Sequence, residues 1–203
     1  MKILNIIFDL GGVIVDLDVS RTLNSFVELF GKEAVELEDG YITSEILKKY
    51  EAGYFDTNNF LDQLLVKTRN GESRDDVVKA WNAMLIGIPQ ERIHMLEELR
   101  KDYRIFILSN TNELHEECFE QMVPGYDKFS SLFEKAYYSH RIGCRKPDRG
   151  SFEIVLNDSG IRAEETLFVD DLAVNVSAAK KLNFHTLHIL PGMEVSKIIK
   201  NHL

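Results

Sequence analysis

The chain has 203 residues, 44% of them apolar and 28% charged, which is enough for one hydrophobic core with a small extra lobe. Its formal net charge of −9 argues against nucleic acid as the main partner, since phosphate-backbone binding needs concentrated Lys and Arg. No apolar run approaches the roughly 20 residues of a membrane span, so no membrane partner is expected. The opening MKILNIIFDL meets an acid straight after its short apolar run and reads as a strand, not a signal peptide. Cys118 and Cys144 have no metal-ligand spacing and are expected to be reduced thiols of a cytoplasmic protein.

The first predicted strand covers residues 3–8 (ILNIIF). From about residue 17 to residue 87 no strand stands out, and helical patterns cover 19–30, 43–51, 57–68 and 74–84. Thr57 and Ser73 each precede a helix-like run and are expected N-caps. More than seventy residues are too many for a loop, so this stretch reads as an inserted helical lobe spanning 17–87. The core, residues 1–16 and 88–203, then alternates regularly. Helix 90–103 shows Ile93, Leu96, Leu99 and Tyr103 at three- and four-residue spacing. Strand 104–108, helix 113–122, strand 135–139, helix 150–157, strand 166–169, helix 173–182 and strand 185–190 follow. Apolar strands alternating with helices predict an α/β fold: a doubly wound, mainly parallel, five-stranded Rossmann-like sheet.

Ligands of such sheets bind beyond the carboxyl ends of the strands. Three polar clusters fall there: Asp9, Ser109-Asn110-Thr111 and Asp170-Asp171. A carboxylate is expensive to bury unless it is paired or binds a metal, so three such clusters on one edge point to a site. Any one of them alone would read as a helix cap.

The segments FDLGGVIVD, LSNTN, RIGCRKPD and FVDDLAVN occur in this order across the core. On these segments the sequence resembles the haloacid dehalogenase-superfamily hydrolases, most of which are phosphatases. The insertion after the first motif is similar to the family's C1 cap. The resemblance implies that Asp9 is the nucleophile and forms an aspartyl phosphate. It implies Mg²⁺ held by Asp9, the Gly11 carbonyl and the Asp170-Asp171 pair, with Asp171 as direct ligand and Asp170 behind it. Ser109, Asn110 and Lys146 would bind the transferring phosphoryl group, with Lys146 also facing Asp9. Arg141 and Arg145 read as structural. Asn175 either orients a carboxylate of the metal site or lies on the helix surface.

Most phosphatases of the superfamily carry a second Asp two residues after the nucleophile, as general acid and base. Here that position is Gly11. Three readings stand: a good leaving group, a substitute acid such as water or a cap residue, or a weak or inactive protein. His115 and His140 fall near strand ends and are the titratable alternatives. A bacterial subgroup similar to α-D-glucose-1-phosphate phosphatase shares this glycine, together with Asp18, Arg21 and Glu51-Ala52-Gly53. That likeness implies a small phosphorylated metabolite, a sugar phosphate, as substrate. Glu51 either binds sugar hydroxyls or simply ends its helix; Arg21 either contacts substrate or pairs with a surface acid. Trp81, Phe60 and Phe55 read as core of the lobe. The competing functions are a 2-haloacid dehalogenase, which needs no acid pair, and a phosphate-binding regulatory protein. A monomer or weak homodimer is expected.

Overall fold

Ile6 and Ile7 point to opposite faces of a strand and both are fully buried, so helices must cover the sheet on both sides. The computed structural model describes residues 2–32 and 45–203. Strand β1 (Asn5–Phe8) leads through a tight turn to a short strand, β2 (Asp16–Leu17). Helices α1 (Val19–Phe30), α2 (Glu45–Glu51), α3 (Thr57–Leu65) and α4 (Arg74–Asn82) follow. Residues 43 and 44, expected at the start of α2, lie outside the described residues. Strand β3 (Leu85–Gly87) then returns antiparallel beside β2, pairing Asp16 with Gly87 and Leu17 with Leu85. This ribbon corrects the expectation that no strand lies between residues 17 and 87. Two or three residues are too few to show an alternating pattern.

The rest of the chain forms α5 (Gln90–Asp102), β4 (Arg104–Ser109), α6 (Glu113–Phe119), β5 (Lys135–Tyr138), α7 (Ser139–Ile142), α8 (Arg149–Ser159), β6 (Thr166–Asp170), α9 (Ala173–Lys181), β7 (His185–His188) and α10 (Val195–Ile198). The parallel sheet has the order β5-β4-β1-β6-β7. Alternate residues divide between two apolar layers. Ile6, Ile105, Ile107, Leu167 and Val169 pack on one face, and Ile7, Phe106, Leu108 and Phe168 on the other. The doubly wound expectation therefore holds. Chain order reverses on either side of β1, which puts the carboxyl end of β1 at the switch point where such sheets bind ligands.

The helical lobe has its own aromatic core. Phe26, Tyr50, Phe60 and Trp81 are buried together, with Phe55 partly buried against them, as expected. Leu114, at the start of α6, belongs to the same cluster, so the lobe is seated on the N-terminal end of α6. Ser73 caps α4 in a reciprocal capping box with Asp76. The cap of α3 is Asp56, not Thr57. Thr57 is free for the lobe boundary, where its hydroxyl meets the Tyr50 hydroxyl at 2.7 Å and the Glu113 carboxylate. At the root of the lobe, Arg92 donates to the Ile14 carbonyl (3.1 Å), to Asp16 (2.8 Å) and to both oxygens of Glu194 (3.1 and 2.9 Å).

Candidate active site

Because β1 lies between β4 and β6, Asp9 follows the central strand with Ser109 ending one neighbour and Asp170 the other. Lys146, from the loop before α8, closes the group. Its Nζ is 2.9 Å from Asp9 Oδ1 and 2.6 Å from Asp170 Oδ2, and its side chain is 1% exposed. Burial works against that ammonium, but the two carboxylates outweigh it and hold the amine above its usual value. Burial pushes the Asp9 carboxyl up to about 7, and Asp170 adds to the rise while Lys146 opposes it. Asp171 is raised as well, by burial and then by Asp170.

Oxygen atoms of Asp9, Asp170 and Asp171 lie within 4.8 Å of one another. Burial is the main cause of the raised Asp9 carboxyl, and three carboxylates against one ammonium leave an excess of negative charge. A hard divalent cation among these oxygens would remove it, so the donor set fits Mg²⁺ or a similar ion. The two members of the acid pair differ. Asp170 is fully buried and already accepts from Lys146, from Asn175 Nδ2 (3.0 and 3.1 Å) and from the Leu172 amide (2.8 Å). Asp171 is only half-buried, and its carboxylate lies over Gly12. A Cβ there would fall 2.6 Å from Asp171 Oδ2, and Gly12 has φ +72°, so both contact and backbone require glycine. Gly11 differs: it lies outside the left-handed region, and a Cβ would meet only the tip of Leu17, at 2.7 Å from Cδ1.

The loop after β4 is braced from two sides. Asn110 donates from Nδ2 to the Lys146 carbonyl and accepts at Oδ1 from the Lys146 amide, both at 2.8 Å. Thr111 donates its amide to Ser139 Oγ at 3.0 Å, and its carbonyl accepts from that hydroxyl at 2.9 Å. Ser109 lines a cleft of about 150 Å³ with Leu10, Gly11, Leu17, Glu51 and His115. Both the lobe and the sheet edge thus contribute walls.

The two expected site residues of the lobe, Arg21 and Glu51, are placed differently from each other. Arg21 is largely exposed and pairs with Asp18 at 3.4 Å; it is not among the residues that line this cleft. The reason is local: Asp18 caps α1, and Arg21 stands one turn further along. Glu51 does line the cleft, but one of its oxygens is held by Arg145, the residue read as structural, at 3.0 Å from Nε and 2.6 Å from Nη2. Asn175 turns inward to Asp170 and is 1% exposed, so it does not lie on the helix surface.

His115 cannot replace a missing acid at neutral pH. Its ring stacks on Trp81 (centroids 5.1 Å apart), with Nε2 3.3 Å from the Trp81 carbonyl and Nδ1 3.3 Å from Asn112 Nδ2. A carbonyl needs a donor and an amide NH₂ needs an acceptor, so this pairing fits the neutral ring. Burial pushes the imidazole down from 6.5 to about 4. Between these values the unfolded chain binds more protons than the folded one, so stability rises with pH across the window. The expected loss on acidification through it is about 2 kcal/mol, allowing for the edge that reaches the cleft. Replacement of His115 by Gln, which keeps a donor and an acceptor, should remove that slope. Urea denaturation of both proteins at about pH 4.5 and about pH 7 reads it out.

The sequence profile described as haloacid dehalogenase-like hydrolase matches residues 6–189. A D-ribitol-5-phosphate phosphatase of Bacteroides thetaiotaomicron is 30% identical over 184 residues, covering 90% of this chain and 89% of its own. A sesquiterpene phosphatase of Aspergillus oryzae is 28% identical over 192 residues, covering 92% and 90%. Among solved structures, a HAD family enzyme of B. thetaiotaomicron, crystallised with magnesium and inorganic phosphate, superposes with a TM-score of 0.86. The two chains are 30% identical, and the match covers 97% of this chain and 99% of that one.

Proposed function

The chain belongs to the haloacid dehalogenase-like hydrolase family, and on that premise we propose that it is a Mg²⁺-dependent phosphatase of a small polyol or sugar phosphate. The observation that carries this reading is the group of three carboxylates around one buried ammonium at the ends of the central strands. The relatives named as phosphatases support it, as does the neighbour crystallised with magnesium and phosphate.

In this reading Asp9 attacks phosphorus and takes the phosphoryl group as an aspartyl phosphate, which water then hydrolyses. Lys146 keeps Asp9 oriented and offers its charge to the transferring oxygens, while Ser109 binds them with its hydroxyl and the Ser109–Asn110 backbone with its amides. Asn110 serves further by holding the main chain of Lys146. Asp9, the Gly11 carbonyl and Asp171 would hold Mg²⁺, whose charge offsets that of the phosphate. Asp170, already engaged by Lys146 and Asn175, stands behind them. The lobe, residues 17–87, acts as a cap over the leaving group.

No side chain supplies an acid at position 11, where a Cβ would meet only the tip of Leu17. Leaving groups that need little protonation should therefore react fastest. Gly11→Asp should recover part of the roughly hundredfold or greater value of general acid catalysis on an alkyl phosphate, since the tip of Leu17, 40% exposed, is free to turn aside. Adding Leu17→Ala should change that gain little. The reading itself is tested by phosphate release from ribitol 5-phosphate, glucose 1-phosphate, glucose 6-phosphate, a nucleotide and p-nitrophenyl phosphate. Turnover of the polyol and sugar esters above the nucleotide is expected. Preference for the nucleotide would contradict the substrate class.

A further inference from the structure

We propose that Arg145 is a positioning residue: it fixes Glu51 across the boundary between lobe and sheet so that Glu51 receives a hydroxyl of the leaving group. The inference rests on the phosphatase reading and adds a specificity determinant to it. Three observations carry it.

First, both hydrogen bonds from Arg145 fall on one oxygen of Glu51, Oε2. Among the described residues nothing donates to Oε1, although the side chain is only 14% exposed and lines the cleft. An ionised carboxylate has several acceptor positions, so this pairing anchors the group and leaves acceptor capacity for a ligand. Burial raises the Glu51 carboxyl and Arg145 opposes that rise, so the pair also favours the accepting, charged form.

Second, the end of α2 is seated against the core. Gly53 has φ +71°, and a Cβ on it would lie 2.3 Å from the His140 carbonyl oxygen. Glu51, two residues earlier, is thereby carried to the sheet edge by the backbone, and the guanidinium sets only its final orientation.

Third, Arg145 immediately precedes Lys146, whose amide and carbonyl are both held by Asn110. The residue that grips the leaving-group side of the cleft is therefore tied to the loop that grips the phosphoryl side. A surface ion pair elsewhere on the lobe would not have this connection.

The test compares wild type, Arg145→Met, Arg145→Lys, Glu51→Gln and the double variant Arg145→Met/Glu51→Gln. The hydroxylated probe is whichever of ribitol 5-phosphate and glucose 1-phosphate turns over faster. The control probe is p-nitrophenyl phosphate, whose leaving group offers Glu51 no hydroxyl to accept. Arg145→Met is expected to raise KM for the hydroxylated ester about tenfold, with kcat changed less than about threefold. KM for p-nitrophenyl phosphate should change less than about twofold. Arg145→Lys should recover part of the loss, and the double variant should be no worse than the poorer single one, since the two side chains act as a unit. Equal losses on both esters, an unchanged KM on the hydroxylated ester, or additive effects in the double variant would overturn the assignment. Absence of wild-type turnover on all three esters would instead overturn the phosphatase reading, and this inference with it.

Discussion

Replacing Asp9 by Asn is expected to lower phosphate release by at least about 10⁴-fold while leaving the protein folded and no less stable. Asn is nearly isosteric but is neither an effective nucleophile nor a charged metal ligand. The stability half of this expectation comes from burial. Asp9 is 8% exposed and its carboxyl is pushed up to about 7, so ionising it costs the folded state free energy at neutral pH. The folded chain binds more protons than the unfolded one between the usual carboxylate range and that value, so this penalty grows as pH rises through the window. Asn removes it, and Lys146 keeps Asp170 as a partner. A thermal melt beside the activity assay reads both effects. A melting temperature that rises or holds while turnover vanishes is the mark of a residue kept for chemistry at the expense of stability. Turnover that survives the substitution would remove Asp9 from the reaction.

Lys146→Met should be the most damaging single change for stability, and it should also lower activity, though less than Asp9→Asn. The ammonium is buried between Asp9 and Asp170, at 2.9 and 2.6 Å, with Asp171 in the same group of carboxylates. Removing one partner of a buried pair leaves uncompensated charge, at a cost of about 3–5 kcal/mol. Methionine keeps most of the packing against Phe168, over whose ring Nζ lies 5.5 Å from the centroid, so the loss isolates the charge. The sign with pH follows from linkage. Without Lys146 the Asp9 carboxyl, already pushed up to about 7 by burial, rises further, so this part of the deficit is small below about pH 7 and opens as pH rises above it. Added Mg²⁺ should recover part of it by binding the folded form. Catalysis should fall by roughly 10²–10³-fold through lost stabilisation of the transferring group. Urea denaturation at about pH 6 and about pH 8.5, with and without Mg²⁺, checks the stability terms. A stability deficit that does not change between the two pH values would contradict them.

What the sequence could reveal follows from the range of each interaction. The core strands were legible because runs such as ILNIIF and RIFIL are apolar on both faces, a pattern that local reading detects. Asp9, Ser109, Asp170 and Asp171 were legible because each ends such a run. The ribbon of Asp16–Leu17 with Leu85–Gly87 escaped because its partners are brought together only by the lobe between them. The α10 segment escaped because four residues carry no clear period. Thr57 and Asp56 both have capping side chains, and only the backbone conformation at 56 decides between them. The pairings that shape the site span still greater separations. Asn110 meets Lys146 from 36 residues away and Arg145 meets Glu51 from 94, so neither leaves a local signal. The one available hint was compositional: an Arg beside the motif lysine, and an acid before a glycine at the end of a lobe helix.

The most direct test of the account is phosphate release by the wild-type chain, assayed on the same panel of esters with Mg²⁺ and again after EDTA. Turnover of at least one small ester that EDTA abolishes and Mg²⁺ restores is the predicted result. Turnover that EDTA leaves intact would contradict the metal role given to Asp9 and Asp171. No turnover of any ester, by a folded protein that still binds Mg²⁺, would contradict the phosphatase itself and leave Gly11 as the position at which the chemistry was lost.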